Sequence, residues 1–209
     1  MNCQFRTALI IFFTIVCLSG CSTTSTISEQ SPQRIQSIEQ RNQQLLSLNS
    51  WKIKGKIAFL QAKKRQSASI NWQVNADNQK LNLSTFLGIS VLKLTSNNGL
   101  HTIEVNGEKY KSTDLEALIY SLTQLTLPTH ALSYWLKGLS YQATDNIIYH
   151  PETNLPKILN SQYDNRLWQI NYGKYVNIDK RSVHTKLPTK ITISQGDLTI
   201  KIAINSWGI

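Results

Sequence analysis

The stretch WKIKGKIAFL, residues 51–60, decides the fold of this chain. In it, apolar side chains alternate with lysines, namely Trp51, Ile53, Ile57 and Phe59 with Lys52, Lys54 and Lys56. A repeat of two residues with charge on one face is typical of a half-buried antiparallel strand, whereas a helix repeats every 3.6 residues. The stretch therefore predicts a sheet that has one apolar face and one solvated face.

The same alternation continues along the chain and predicts a sheet of many strands. It recurs at residues 67–75, 81–83, 92–94, 103–105, 168–172, 191–193 and 198–204, and residues 158–163 are a further candidate strand. We expect Lys63-Lys64-Arg65 to form a short polar hairpin, and Asn106-Gly107 has the composition of a type I′ turn. Residues 173–189 are basic and poor in apolar side chains, which indicates a turn or loop. The fold class expected is mainly β with α, built on one curved antiparallel sheet.

Three segments are expected to be helices that lie against the apolar face of the sheet. Residues 33–48 carry apolar side chains at roughly helical spacing. Thr113-Asp114-Leu115-Glu116 has the pattern of a capping box, and apolar residues follow it. Pro128 suits the first turn of a helix that runs through Leu136, with Gly138 at its C′ position.

The N-terminus has the pattern of an export signal. Arg6 precedes an apolar run, residues 8–18, that is too short for a permanent membrane span. Leu18-Ser19-Gly20-Cys21 predicts cleavage before an acylated Cys21, and a plain secretory signal with an incidental cysteine is the alternative. We expect a signal peptide at 1–20, a flexible lipid-anchored tether at 21–33 and a single domain at 34–209.

Cleavage of the signal would change both the cysteine count and the charge. Of the three cysteines, Cys3 and Cys17 leave with the signal, so no disulfide and no cysteine metal ligand is expected in the mature domain. Removal of Arg6 leaves 21 Lys and Arg against 12 Asp and Glu, a formal charge of +9.

The sequence lacks the motifs of common enzyme classes. Its nine glycines form neither G-x-G-x-x-G nor a phosphate-binding loop, and no G-x-S-x-G nucleophile elbow occurs. No histidine has a partner at the i, i+4 spacing of a helical zinc site; the four are His101, His130, His150 and His184. We therefore expect no catalytic residue, no cofactor and no metal.

Basic residues cluster on one face of 51–60, at 63–65, and late in the chain at Lys174, Lys180, Arg181, Lys186 and Lys190. A solvated face that protects sheet edges explains them. Attraction to anionic headgroups or to an acidic protein partner is the alternative. Nucleic acid is not an expected partner for an exported, lipid-anchored protein.

The stretch Thr85-Phe86-Leu87-Gly88-Ile89-Ser90 is apolar, although it lies where a tight loop is expected. Loops normally face water, so an apolar loop needs a buried position or a nonpolar partner. Two interpretations stay open. The stretch is either a continuous strand with a bulge at Gly88, or a protruding wedge, led by Leu87, that enters a bilayer or meets an acyl chain.

With these features placed, the chain resembles the LolB family of Gram-negative outer-membrane lipoprotein receptors. The motifs that carry the resemblance are Leu18-Ser-Gly-Cys21, Trp51-Lys-Ile-Lys-Gly55-Lys-Ile57-Ala, Trp72, Leu87-Gly88, Trp135-Leu-Lys-Gly138-Leu, Gln162 before Trp168-Gln-Ile-Asn-Tyr172, Leu187-Pro188 and a terminal Ile-Asn-Ser-Trp207. The chain departs from the family pattern at Phe86 and Ser140, where Pro is expected, and at Leu167, where Gly is expected. These departures concern loop geometry more than the fold.

The resemblance implies an unclosed antiparallel β-barrel with helices covering an apolar cavity. Such proteins accept the acyl chains of lipoproteins from the periplasmic carrier LolA and release them into the outer membrane. They carry an exposed leucine, at the position of Leu87, that serves delivery rather than acceptance. For this chain the resemblance implies a lipid-anchored monomer at the outer membrane, facing the periplasm, with a LolA-type carrier, acyl chains and the inner leaflet as partners.

The residues expected to act fall into two groups. An insertion loop is expected at Phe86, Leu87 and Gly88. The expected cavity residues are Trp51, Ile53, Ile70, Trp72, Leu83, Leu92, Trp135, Trp168, Ile170 and Ile200. Because the same apolar face serves a lined cavity and a filled core, two other classes stay open: a structural lipoprotein with a filled core, and an envelope hydrolase, which the absent motifs discourage.

Overall fold

The computed structural model describes residues 36–62, 64–180 and 183–209. The predicted signal peptide, Cys21 and the predicted tether lie outside these residues. Within the described part, the helices are α1 Ile38–Leu46, α2 Leu115–Thr123 and α3 Thr129–Trp135. The strands are β1 Ser50–Gln61, β2 Lys64–Asn75, β3 Asn78–Ser84, β4 Ser90–Asn97, β5 Leu100–Val105, β6 Glu108–Ser112, β7 Asn146–Tyr149, β8 Pro156–Tyr163, β9 Arg166–Tyr172, β10 Tyr175–Lys180, β11 Val183–Pro188, β12 Lys190–Gln195 and β13 Leu198–Gly208.

Strand β1, which carries the stretch 51–60, lies at the centre of an 11-stranded antiparallel sheet. The strand order is β6-β5-β4-β3-β2-β1-β13-β12-β9-β8-β7. One arm is the meander from β1 to β6, and the other runs from β13 to β7. The edge strands β6 and β7 do not pair with each other in the described residues, so the sheet is not closed into a barrel. The predicted fold class is confirmed.

The alternation in β1 explains its central place. Trp51, Ile53 and Ile57 are buried on one face, whereas Lys54 and Lys56 are exposed on the other. The register with β2 sets Ile53 opposite Trp72, which continues the apolar face across the sheet. Burial of this face supplies the main driving force for folding, since apolar area removed from water is stabilising.

Helices α2 and α3 begin and end at residues that suit their caps. The N-cap of α2 is Asp114 rather than the predicted Thr113, and its carboxylate accepts a hydrogen bond from the Ala117 N–H at 3.0 Å. Asp is among the strongest N-caps, which explains the shift by one residue. Gly138 follows α3 with φ +73°, and the N–H of Leu139 bonds to the Tyr134 carbonyl at 3.1 Å. This is a Schellman ending, and the predicted C′ glycine is confirmed.

The interpretation of residues 173–189 as a loop is wrong. Strands β10 and β11 pair there as an antiparallel hairpin separate from the large sheet. In β11, Thr185 and Leu187 are buried whereas His184 is exposed. The alternation is therefore present, but the basic residues around it conceal it in the sequence.

Two smaller differences concern strand boundaries. Lys64 and Arg65 belong to β2 rather than to a turn, and β7 was not predicted.

The Asn106-Gly107 turn is confirmed, because both residues have the positive φ, 53° and 84°, that type I′ requires. In the part of the chain that the structure describes, no helix has the length and apolar character needed to cross a bilayer.

Candidate functional site

The apolar face of the sheet is covered in two different ways. Under β8, β9 and β12, helix α3 packs closely, and we call this part the packed region. There Trp135 of α3 is fully buried and its ring lies 5.8 Å from that of Trp168 in β9. Ile170 is also fully buried, and the hydroxyl of Tyr172 donates to the Trp135 carbonyl at 2.8 Å.

Over β2 to β5, the covering elements leave an apolar cavity of about 530 Å³. Its floor comes from the sheet and its roof from α2, α3 and the segment between them. The lining residues are Ile57, Phe59, Gln66, Ile70, Trp72, Gln79, Leu81, Leu83, Val91, Leu92, Leu94, Ile103, Val105, Leu115, Ile119, Leu122, Thr123, Leu125, Leu127, Thr129, Leu132, Leu136, Ile200 and Ile202.

Most of the few polar side chains of this cavity form hydrogen bonds. The indole N–H of Trp72 donates to the side-chain oxygen of Gln79 at 2.9 Å. Thr129 donates through both its N–H and its hydroxyl to the Glu116 carboxylate, at 2.8 and 3.2 Å. Ligand sites typically have volumes of about 300–1,000 Å³ and mostly apolar walls. The cavity has that size and that chemistry, and it suits an apolar occupant.

The ten predicted cavity residues divide between the two regions. Five of them line the cavity, namely Ile70, Trp72, Leu83, Leu92 and Ile200. The other five do not line it and are buried in the core, namely Trp51, Ile53, Trp135, Trp168 and Ile170. For these five the predicted position is wrong.

These five side chains lie in the core because other side chains cover them. Trp51 is enclosed by two other indoles, with its ring 5.2 Å from that of Trp72 and 5.8 Å from that of Trp207. Trp135 faces β9 rather than the cavity, whereas Leu132 of the same helix and the C-cap residue Leu136 line the cavity. Helix α3 therefore packs onto the packed region with one face and covers the cavity with another.

The roof also contains lining residues that were not predicted, chiefly Leu115, Ile119 and Leu122 of α2. Their spacing of three and four residues marked an apolar helix face in the sequence. That spacing does not indicate whether the face packs against a strand or borders a cavity. The apolar face of α2 could therefore be predicted from the sequence, but its role as a cavity wall could not.

A carboxylate holds the roof together. Glu116 in α2 accepts both Thr129 bonds and a third from the hydroxyl of Tyr163 in β8, at 3.0 Å. Burial, followed by this hydrogen bond, raises the pKa of Tyr163 above its ordinary value. Glu116 thus connects α2, α3 and β8.

Helix α1 is fixed to the end of α3 by two buried cations. The guanidinium of Arg41, only 2% exposed, donates to the carbonyls of Lys137 and Gly138 at 2.7 and 3.1 Å. In return, the Lys137 ammonium donates to the Leu45 carbonyl at 3.0 Å. Burial lowers the pKa of both cations. Cations suit this position because the carbonyls at a helix C-terminus lack partners and carry partial negative charge.

The stretch 85–89 forms a tight turn rather than a bulged strand. β3 ends at Ser84 and β4 begins at Ser90, and the N–H of Gly88 donates to the Thr85 carbonyl at 3.0 Å. Gly88 has φ +85°, which glycine adopts without steric cost. At the tip, Phe86 is 93% exposed and Leu87 is 73% exposed. Two large apolar side chains therefore project into the surroundings side by side.

A second depression, of about 500 Å³, lies at the ends of β8, β9 and β12. Its walls are mostly Asn, Gln, Ser and Thr, and no charged residue lines it. Among the described residues, no group of three or more His, Cys, Asp or Glu side chains is placed to hold a metal ion.

Comparison with known proteins gives consistent matches over the sheet. The family model of "Outer membrane lipoprotein LolB" matches residues 49–207. The outer-membrane lipoprotein LolB of Aeromonas hydrophila is 35% identical over 208 residues, which cover 97% of this chain and 98% of that protein. That of Aeromonas salmonicida is 34% identical over 206 residues, covering 96% and 97%.

A solved structure of a LolA superfamily protein from Nitrosomonas europaea shares the fold. It is 7% identical in sequence and superposes with a TM-score of 0.53, covering 83% of this chain and 94% of that one. The family match begins just before β1 and ends at Trp207 in β13, and so includes every strand of the sheet and both roof helices. On this match, and on relatives aligned over nearly their whole length, the chain belongs to the LolB family.

Proposed function

We propose that this chain is a monomeric outer-membrane lipoprotein that accepts the acyl chains of other lipoproteins in the cavity and passes them to the inner leaflet of the outer membrane. The donor is a LolA-type periplasmic carrier. Cys21 carries the lipid anchor, and the domain faces the periplasm. The observation that carries the proposal is the apolar cavity of about 530 Å³ under the α2–α3 roof. The names of the relatives from Aeromonas support the location.

The energetics of an acyl chain support direct transfer between proteins. Burial of a chain is worth about 0.8 kcal/mol per methylene, so one long chain represents on the order of 10 kcal/mol. Release into water at that cost is too slow for a shuttle. Transfer must run from one apolar cavity to the next and then to lipid, in order of rising affinity. Nucleotide is not needed, because the affinities alone set the direction.

The exposed turn suits the last step. Phe86 and Leu87 are exposed by 93% and 73% on the domain, and a lipid layer would bury them. In this role Leu87 enters the leaflet and opens a path for the departing chains. Acceptance of cargo uses the cavity and does not need the turn.

The other classes of function have less support. The LolB family moves lipoproteins and is not an enzyme family, so the expectation that this chain is not an enzyme is confirmed. A structural lipoprotein with a filled core would leave no space beneath α2 and α3. The cavity argues against that class.

The test is transfer from a loaded carrier. A mature chain with Cys21→Ala is mixed with a LolA-type carrier that holds labelled lipoprotein, and the label is located after separation. In the variant Leu83→Glu a carboxylate enters the cavity wall, and we expect uptake to fall by more than about tenfold, because charge is costly to bury beside an acyl chain.

The matched control places the same charge on the other face of the sheet. Asn71 of β2 pairs with Asn82, the neighbour of Leu83, and its side chain is exposed. Asn71→Glu should take up label like the unsubstituted chain. Equal uptake by both variants, with both folded, would show that cargo is held elsewhere.

Delivery is tested separately with lipid vesicles. Leu87→Glu should accept label normally and fail to pass it to vesicles. Leu100→Glu is the control, because Leu100 is a half-exposed apolar residue at the opposite end of the sheet. Equal loss of acceptance and delivery in Leu87→Glu would contradict the separation of the two steps.

A further inference from the structure

The hairpin of β1 and β2 projects from the same end of the sheet as the 85–89 turn. Because β1 to β4 are antiparallel neighbours, the β1–β2 turn and the β3–β4 turn lie at one end. β2 pairs with β3 only from Ser69, which faces Ser84, so residues 64–68 extend past the end of β3. At about 3.3 Å per residue, this overhang is about 16 Å long.

The overhang is cationic. Lys64 and Arg65 are both exposed, and in the part of the chain that the structure describes no carboxylate lies within salt-bridge distance of either. Side chains alternate along a strand, so Lys64 lies on the cavity face with Gln66, and Arg65 lies on the outer face. The two charges therefore flank the hairpin on both faces.

Other charges at this end lie further along the sheet. Asp197 occupies the β12–β13 turn, on the far side of β1 from the apolar turn. Glu108 begins β6, two strands beyond β4, and accepts a hydrogen bond from the Tyr110 hydroxyl. The strand pair beside Phe86 and Leu87 thus carries two cations that form no ion pair among the described residues, whereas Asp197 and Glu108 lie to either side of it.

We infer that Lys64 and Arg65, at the start of β2, bind the anionic headgroups of phospholipids while the 85–89 turn enters the apolar layer beneath them. A flat bilayer that meets the turn from this end also meets the hairpin tip, because both project beyond β3. Basic side chains near an anionic surface are attracted to it, and an inserted apolar side chain adds to the binding. The inference rests on the proposed function and names the surface that the delivery turn recognises.

The experiment measures binding of the mature chain with Cys21→Ala to vesicles by flotation, so that its own acyl chains do not dominate. Vesicles contain phosphatidylethanolamine alone or with phosphatidylglycerol. We expect phosphatidylglycerol to strengthen binding by the unsubstituted chain. The variant Lys64→Gln with Arg65→Gln should bind the anionic vesicles about 30-fold more weakly. High salt should also remove the stronger binding of the unsubstituted chain to vesicles that contain phosphatidylglycerol.

A matched control removes two lysines from the two strands that flank β2, at positions away from this end of the sheet. Lys54 in β1 and Lys80 in β3 are exposed and lie away from the projecting tips. Lys54→Gln with Lys80→Gln has the same net charge as the first variant and should bind like the unsubstituted chain. Equal weakening by the two double variants would show that net charge alone acts, and would overturn the inference.

The carrier assay distinguishes this inference from the proposed function. If Lys64→Gln with Arg65→Gln takes up label normally and binds anionic vesicles as the unsubstituted chain does, only the headgroup inference fails. If that variant instead loses uptake from the carrier and keeps vesicle binding, the tip recognises an acidic protein and the inference is wrong. If the unsubstituted chain takes up no label, the proposed function fails irrespective of vesicle binding.

Discussion

The packed region and the cavity are built on one sheet with one alternation of apolar side chains, yet one is filled and the other is open. In the packed region Trp135 of α3 fills the space above Trp168. Above Leu83 and Leu92, a cross-strand pair of the cavity floor, α2 and α3 leave a space instead. The sheet therefore supplies an apolar surface, and the helices above it determine whether that surface becomes core or cavity.

The largest expected effect is a difference in the stability cost of truncating a side chain in the packed region and in the cavity wall. Trp135→Ala should lower the free energy of unfolding by about 3–5 kcal/mol, because it leaves a cavity in a close-packed core. Leu92→Ala should cost about 1 kcal/mol, since its side chain is half-buried and already borders open space. Urea denaturation of both variants measures this. Equal losses would mean that the two regions are packed alike.

The next effect concerns the buried cation that holds α1 to α3. Arg41→Ala should lower the free energy of unfolding by about 3 kcal/mol, because the carbonyls of Lys137 and Gly138 lose their charged donor. Arg41→Lys should recover only part of it, since an ammonium lacks the planar fork. Urea denaturation and acyl uptake are measured together. We expect uptake to fall as well, because α3 also roofs the cavity.

A stability loss without any change in uptake would contradict this connection between the regions. Lys56→Ala, a change at an exposed lysine of β1, is the control and should alter neither quantity.

A third effect tests whether the cavity binds an acyl chain. A long-chain fatty acid at 100 times its dissociation constant should stabilise the chain by about 2.7 kcal/mol. In Leu83→Trp the larger ring should occupy the cavity and remove most of this gain, while the ligand-free stability changes little. The melting temperature with and without fatty acid reports both. Leu167→Trp, at an exposed position of β9, should keep the full gain.

The smallest expected effect is an alkaline sensitivity of the packed region. Burial raises the pKa of Tyr172 and of Tyr175, so the folded chain keeps these protons at a pH where the unfolded chain has lost them. The stability that they contribute is present below pH about 10 and is lost as pH rises above it. Lys137 and Arg41, whose pKa values burial lowers, act in the opposite sense.

The urea midpoint followed from pH 8 to 11 measures this slope. Tyr172→Phe with Tyr175→Phe should be less stable at pH 8, through loss of two hydrogen bonds, and should depend less on pH above 10. An unchanged slope in that variant would show that other groups titrate.

The strands could be predicted from the sequence because their alternation is local. The strand prediction failed at 173–189, where basic residues obscured the alternation of β11. The N-cap of α2 was predicted one residue early, at Thr113 rather than Asp114. The division between core and cavity could not be predicted, because Trp51 and Trp72 have the same pattern on neighbouring strands. Their difference depends on contacts far apart in sequence, such as that of Arg41 with Gly138, which fix where α3 lies.

The most direct test of the central claim uses the tryptophans that the two regions contain. Lipoprotein with brominated acyl chains is delivered from a carrier, and quenching of tryptophan fluorescence is recorded for Trp72→Phe and Trp168→Phe. Trp72 lines the cavity, whereas Trp168 is buried beside Trp135. If the acyl chains enter the cavity, Trp72→Phe loses most of the quenching and Trp168→Phe keeps it. Quenching that persists in Trp72→Phe and disappears in Trp168→Phe would show instead that the acyl chains occupy the packed region, which would contradict binding in the cavity.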